Sequence, residues 1–390
     1  MELEFVNRAN TNCYKWDSDC AKGKLPLWVA DMDFKAAPPI IAAMQRRLNH
    51  GVFGYNTVPQ EYYDAVASWF SRRHGWNGIT ADKVIPTIGV VPAIAVILKA
   101  MTKPGDKVLT FTPAYNCFYA CIHNMECQLV ESVLLEKPSE KGGVLTDFSI
   151  DWDDFEQKVA QSKMFILCNP HNPTGRVWTR QELSRIAEIC EWNNVFVLAD
   201  EIHCEITFPG HSYTPYAIVA KSSNYCVCTA ASKAFNIAGL QCSNIFVPDS
   251  DIHQKIEHAV ETHEVGGLNP FGIVALIAAY NECEDWMDAL NAYVYDNWLY
   301  LRDFIGKNLP MLRLSDIEGT YLAWIDMSAV LHTSRFRNAN SFCQLLADKE
   351  NVLFNPSEMY GCADHIRINL ATSREILTEA LDRMCRFINQ

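Results

Sequence analysis

Lys233 lies between a β-rich apolar run and a loop of small residues, in Thr229-Ala230-Ala231-Ser232-Lys233-Ala234-Phe235-Asn236-Ile237-Ala238-Gly239-Leu240. A partly buried lysine there can shed its proton and attack carbonyl carbon. Taken alone it could equally be a solvated surface charge. Three other stretches gain meaning beside it. In Ile88-Gly89-Val90-Val91-Pro92-Ala93 a strand run ends in glycine and a helix starts with an early proline. Free N–H groups at such a start can cradle a phosphate, although a plain strand-to-helix turn looks the same.

In Asn169-Pro170-His171-Asn172-Pro173-Thr174-Gly175-Arg176 two Asn-Pro steps and a glycine force an irregular loop, because the residue before proline is driven out of helical geometry. That loop can present Asn172 to a ligand; a bland turn with a surface histidine is the alternative. Asp200-Glu201-Ile202-His203 follows the apolar run Val195 to Ala199 and sets carboxylates at the mouth of a buried strand. A charge there is costly unless something positive meets it. A protonated pyridine nitrogen meets that need, and a helix cap is the ordinary rival for Asp200. A metal site on His203 and Cys204 lacks further ligands at suitable spacing, so no metal is expected.

These residues need a frame. Between about Lys83 and Pro248, apolar runs at Val84 to Ile88, Val108 to Phe111, Leu129 to Leu134, Met164 to Cys168, Val195 to Ala199, Tyr225 to Ala230 and Ser243 to Val247 read as strands. Helix-period segments such as Pro92 to Met101 and Gln181 to Asn193 lie between them, the second behind a capping box of Thr179 and Glu182. Such alternation implies a mainly parallel sheet covered on both faces, with ligands beyond the carboxyl ends of its strands. Asp285 to Ile305 reads as a long helix; Leu322 to Asp326 and His365 to Leu370 read as strands of a smaller α/β domain. The expected division is 1–48 as an N-terminal segment packing with the small domain, 49–285 as the large domain and 286–390 as the small one.

Composition narrows the function classes. A formal charge of -13 argues against a nucleic-acid partner, and small molecules are the better expectation. Fifteen cysteines, an odd number scattered through apolar segments, suit a reducing cytoplasm. The start from Met1 to Asn10, with Glu2 and Glu4, lacks the basic and apolar regions of a signal peptide. The apolar stretch Leu268 to Tyr280 holds Pro270 and Gly272 and is too short to span a bilayer. Repeats and low-complexity tracts are absent.

Together the four stretches resemble the fold-type I pyridoxal-phosphate (PLP) enzymes of aminotransferase class I/II, with an aspartate-aminotransferase-like α/β fold. More narrowly, the chain is similar to the MalY/PatB type of cystathionine β-lyase, or C-S lyase, along nearly its whole length. Lys15-Trp16-Asp17, Leu27-Trp28-Val29-Ala30-Asp31-Met32-Asp33-Phe34, Gly175-Arg176-Val177-Trp178, Thr320-Tyr321-Leu322-Ala323-Trp324-Ile325-Asp326 and Arg367-Ile368-Asn369-Leu370-Ala371 add to that resemblance.

The resemblance implies an internal aldimine on Lys233, which then shuttles the substrate's α-proton. It implies that Asp200 pairs with the pyridine nitrogen, and that Asn172 bonds the ring's phenolic oxygen. His203 stands where many aminotransferases carry a tyrosine for that task. Tyr115 would stack on the ring, while Gly89, Val90, Val91 and Ser232 hold the phosphate. Trp28, Tyr55 and Arg367 would serve the substrate, Arg367 by clamping its carboxylate and Tyr55 by reaching the neighbouring site of a homodimer.

Two positions depart from the pattern. Ala230 replaces a phosphate-binding serine, so Thr229 or a water has to substitute, and Gln241 replaces the arginine of typical aminotransferases, a change that itself resembles the lyases. The stretch Asn355 to Asp364 also departs from the glycine pattern expected ahead of Arg367. The implied reaction is β-elimination from cystathionine or another cysteine S-conjugate, giving a thiol, pyruvate and ammonia. An aminotransferase, which needs the same lysine, and a regulatory binding protein on the same fold are the other readings.

Overall fold

The computed structural model describes residues 3–390; residues 1 and 2, and with them Glu2 of the acidic start, lie outside the described residues. Each of the seven apolar runs forms a strand of one sheet. Its spatial order is Val84–Thr87, Ser243–Phe246, Tyr225–Thr229, Phe196–Asp200, Met164–Cys168, Lys107–Thr112, Gln128–Val133. The pairings from Tyr225–Thr229 onward are parallel, and only Ser243–Phe246 runs against its two neighbours.

Buried strands of this kind alternate between two faces. Phe165, Leu167, Val197, Ala199 and Val227 fill one core, whereas Met164, Ile166, Phe196, Leu198, Cys226 and Cys228 fill the other with the helix Val90–Met101. The side-chain period of two therefore lets one run serve both layers. The capping box forms as expected: Glu182 N donates to Thr179 Oγ1 at 3.2 Å and Thr179 N to Glu182 Oε2 at 2.8 Å, starting the helix Arg180–Trp192. The long helix spans Glu284–Asn308.

A second sheet of six strands runs Asn355–Pro356, His365–Asn369, Leu322–Asp326, Arg313–Ser315, Leu145–Ser149, Leu135–Pro138. Its last two strands are an antiparallel pair drawn from mid-chain, which local patterning does not announce. The N-terminal strand Leu25–Pro26 pairs with Val352–Leu353, and Asp33 N donates to Ala371 O at 3.0 Å. Trp28 to Phe34 consequently lies over the junction of the two sheets. No helix among the described residues is long and apolar enough to cross a membrane.

Candidate active site

Val84–Thr87 and Tyr225–Thr229 are both antiparallel to the strand between them, so their carboxyl ends share an edge with those of the parallel strands. The loops that leave this edge carry Gly89, Tyr115, Asn172, Asp200 and Lys233. They enclose a cavity of about 280 Å³ lined by Gly89, Val90, Val91, Tyr115, Asn172, Asp200, His203, Ser232 and Lys233, together with Ala30, Cys168 and Gln241. A larger surface cleft of about 610 Å³ beside Arg302 and Arg313 also holds an amine and an acid, Lys141 and Asp303, but both are exposed to solvent.

Gly89 caps the helix Val90–Met101 with φ +156°, a conformation that side-chain-bearing residues rarely adopt. The N–H groups of Val90 and Val91 fall in the first turn, where no intrahelical acceptor exists, and Pro92 has no N–H. They form one end of the cavity. Ser232 and Gln241 border it as well, Gln241 at φ +49°, whereas Thr229 does not line it.

Asp200 ends its strand in register with Cys168 and Cys228 and is buried. Burial pushes its carboxyl up to about 7, against the pull of the Ile202 N–H, which donates to Oδ1 at 3.2 Å, and of the Lys233 charge. Glu201 is also pushed up to about 7 by burial, but it is already served by the Tyr213 hydroxyl, Tyr216 N and Asn169 Nδ2. Glu201 thus has three neutral hydrogen-bond donors, whereas Asp200 has one backbone N–H and the charge of Lys233 nearby.

Lys233 sits in the short helix Ala231–Ala234, and its Nζ donates to Ala30 O at 2.5 Å. Burial lowers its proton affinity; the charge of Arg367 lowers it further, while Asp31 and Asp200 raise it. His203 is buried with its Nδ1 unpartnered, and burial, with the Lys233 and Arg367 charges, pushes it down to about 3. Its ring is therefore neutral.

Arg367, mid-strand in His365–Asn369 and 4% exposed, donates through Nη1 to Asn172 Oδ1 at 3.0 Å and through Nη2 to Trp28 O at 3.0 Å. Its guanidinium lies 4.9 Å from the Tyr360 ring centre. Trp28 reaches this arrangement through its carbonyl alone. Its indole N–H donates to Lys15 O, and its ring packs on Tyr14. Tyr55 is fully exposed and does not join the cavity within one chain.

Ala30, Tyr321 and Asn236 escape sequence reasoning as site residues, since each acts through a main-chain group or an ordinary-looking polar side chain. Away from the cavity, ligand atoms of His74, Cys204 and Glu205 lie within 4.8 Å of one another. Glu205 there already accepts from Trp69 Nε1 at 2.7 Å and pairs with His74 and Arg73, so the cluster is an internal charge network.

The cavity fits the cofactor expected from the sequence. Its lining combines first-turn amides suited to a phosphate with a buried acid, Asp200, that accepts a single backbone N–H. The same lining holds an amine, Lys233, and an imidazole, His203, with an unpartnered nitrogen.

The chain matches the family described as Aminotransferase class I and II over residues 22–384. It is 35% identical over 388 residues to cystathionine beta-lyase PatB of Bacillus subtilis, with 97% of both chains covered. It is 31% identical to protein MalY of Escherichia coli, across 96% of this chain and 95% of that one. The solved PLP-bound C-S lyase from Staphylococcus hominis aligns with a TM-score of 0.91 at 32% identity, covering 99% of this chain and 98% of the other.

Proposed function

The chain belongs to the aminotransferase class I and II family, and from that premise we propose that it is a PLP-dependent C-S β-lyase of the cystathionine β-lyase type. It cleaves cystathionine or a related cysteine S-conjugate by α,β-elimination to a thiol and aminoacrylate, which water hydrolyses to pyruvate and ammonia. The observation that carries this reading is the convergence of Lys233, Asp200 and the Gly89 to Val91 amides on one cavity, in a chain similar throughout to relatives named for that activity.

Bound PLP supplies an electron sink for the negative charge left on the substrate's α-carbon. In our reading the Gly89, Val90 and Val91 amides and the Ser232 hydroxyl hold its phosphate, with Gln241 beside them. Asp200 would pair with the ring nitrogen, whose positive charge would compensate the buried carboxylate. Asn172 and His203 would hold the phenolic oxygen, and Tyr115 would pack on the ring.

Lys233 would hold the cofactor, and its Nζ would accept the substrate's α-proton. Its burial favours the uncharged amine that this task requires. Arg367 clamps the substrate carboxylate with its planar fork. Trp28 borders that position through its carbonyl.

The working unit in this reading is a homodimer, in which the exposed Tyr55 enters the neighbouring copy's cavity. All fifteen cysteines are free, which suits the reducing cytoplasm. Incubation of PLP-loaded protein with cystathionine tests the proposal. Pyruvate and a free thiol should accumulate without added keto acid; strict keto-acid dependence would sink the lyase reading in favour of transamination.

A further inference from the structure

Trp28 to Phe34 has almost no regular secondary structure, yet it is bonded along its length by side chains from distant parts of the chain. Trp28 O accepts from Arg367 Nη2 and from Asn355 Nδ2 at 2.8 Å. Val29 O and Asp31 O both accept from Asn369 Nδ2 at 2.6 Å. Ala30 O accepts from Lys233 Nζ and, at 3.1 Å, from Tyr321 OH.

The other end is held by Asn236, three residues after Lys233. Asn236 Nδ2 donates to Met32 O at 2.9 Å and to Phe34 O at 2.8 Å, and its Oδ1 accepts from Met32 N at 3.1 Å. Its backbone is left-handed at φ +56°, a conformation asparagine tolerates better than most residues. Lys233, Ala30, Met32 and Asn236 thus close a ring of two short chain segments and two sets of hydrogen bonds.

We infer that Asn236 is a positioning residue for Lys233: by gripping Met32 and Phe34 it fixes the Ala30 carbonyl at the lysine amine, and so fixes where that amine stands when it is free of the cofactor. The inference rests on the role proposed above for Lys233, but the grip on the segment does not. A proton-transfer group must sit within hydrogen-bond reach of its target, and a displacement of about 1 Å can cost on the order of a hundredfold in rate. Deleting the amide should loosen the Ala30 carbonyl without touching any group that lines the phosphate or ring positions.

The test uses Asn236→Gly, which keeps the left-handed backbone available while removing the amide, and Asn236→Asp, which keeps an acceptor for Met32 N–H but loses both donors. Asn351→Gly, at φ +55° on the surface, is the control. Hydrogen exchange of the Met32 amide in cofactor-free protein should quicken by about tenfold or more in N236G and stay at the wild-type rate in N351G. With PLP loaded to wild-type stoichiometry, kcat for both Asn236 variants should fall by about ten- to a hundredfold while KM stays within about threefold.

Wild-type Met32 protection in N236G, or undiminished kcat in either Asn236 variant, would overturn the inference. A wild-type protein unable to take up PLP covalently would overturn it too, by removing the Lys233 reading beneath it. That failure is told apart by the missing cofactor absorbance of the wild type.

Discussion

The guanidinium of Arg367 donates to the side-chain carbonyl of Asn172 across 3.0 Å, tying the second sheet to the loop that leaves the first. The bond occupies the Asn172 side-chain oxygen, and Asn172 lines the cavity. One side chain thereby orients two features of the proposed site: the carboxylate clamp, and the amide beside the cofactor ring.

Replacing Arg367 with alanine should raise KM for the amino-acid substrate by about 30-fold or more, on the order of 2 kcal/mol, because a buried charge-assisted contact is lost. PLP affinity should change far less. Equal losses in titrations of the two ligands would contradict the clamp.

Lys233→Ala should abolish covalent capture of PLP and nearly all turnover, since nucleophile and proton acceptor vanish together. Borohydride reduction followed by mass measurement checks this. Cofactor still trapped on the variant would refute the assignment.

The buried Asp200 carboxyl gives cofactor-free protein a pH signature. Its folded value, about 7, exceeds the ordinary 3.8, so its contribution to stability is present below about pH 4 and is lost as pH rises through 7. Asp200→Asn should therefore match wild type near pH 4 and exceed it above pH 7 by on the order of 4 kcal/mol in urea melts. Glu201 has the same sign and leaves a residual slope in both proteins. A variant less stable than wild type at pH 8 would reverse the argument.

Gly175 occupies φ +75° in the Asn172 loop, where an added Cβ would lie 2.4 Å from Ile317 Cγ2 and 3.2 Å from Gly319 O. Gly175→Ala should destabilise the protein by on the order of 2 kcal/mol or more. A thermal unfolding midpoint unchanged from wild type would show that the loop can yield.

If Tyr55 acts across a dimer, mixing inactive Tyr55→Ala and Lys233→Ala proteins should create hybrids with one intact site. Random exchange would restore about a quarter of wild-type activity. Mixtures that stay inactive despite proven subunit exchange would place Tyr55 elsewhere.

The sequence by itself determined the layers and the ingredients. Short continuous apolar runs became the strands of the main sheet, the Thr179 and Glu182 pair capped its helix, and Gly89, Asn172, Asp200 and Lys233 each stood near where a strand ends. These are local rules, acting within a few residues of chain. Tertiary structure alone decided that Arg367 meets Asn172 across 195 positions and that Lys233 meets the Ala30 carbonyl across 203. It also sent residues 135–149 to the second sheet, and gave the Trp28 indole to Lys15 O while its carbonyl accepts from Arg367. Such contacts depend on the whole path of the backbone, and a main-chain carbonyl looks the same at every position until something folds against it.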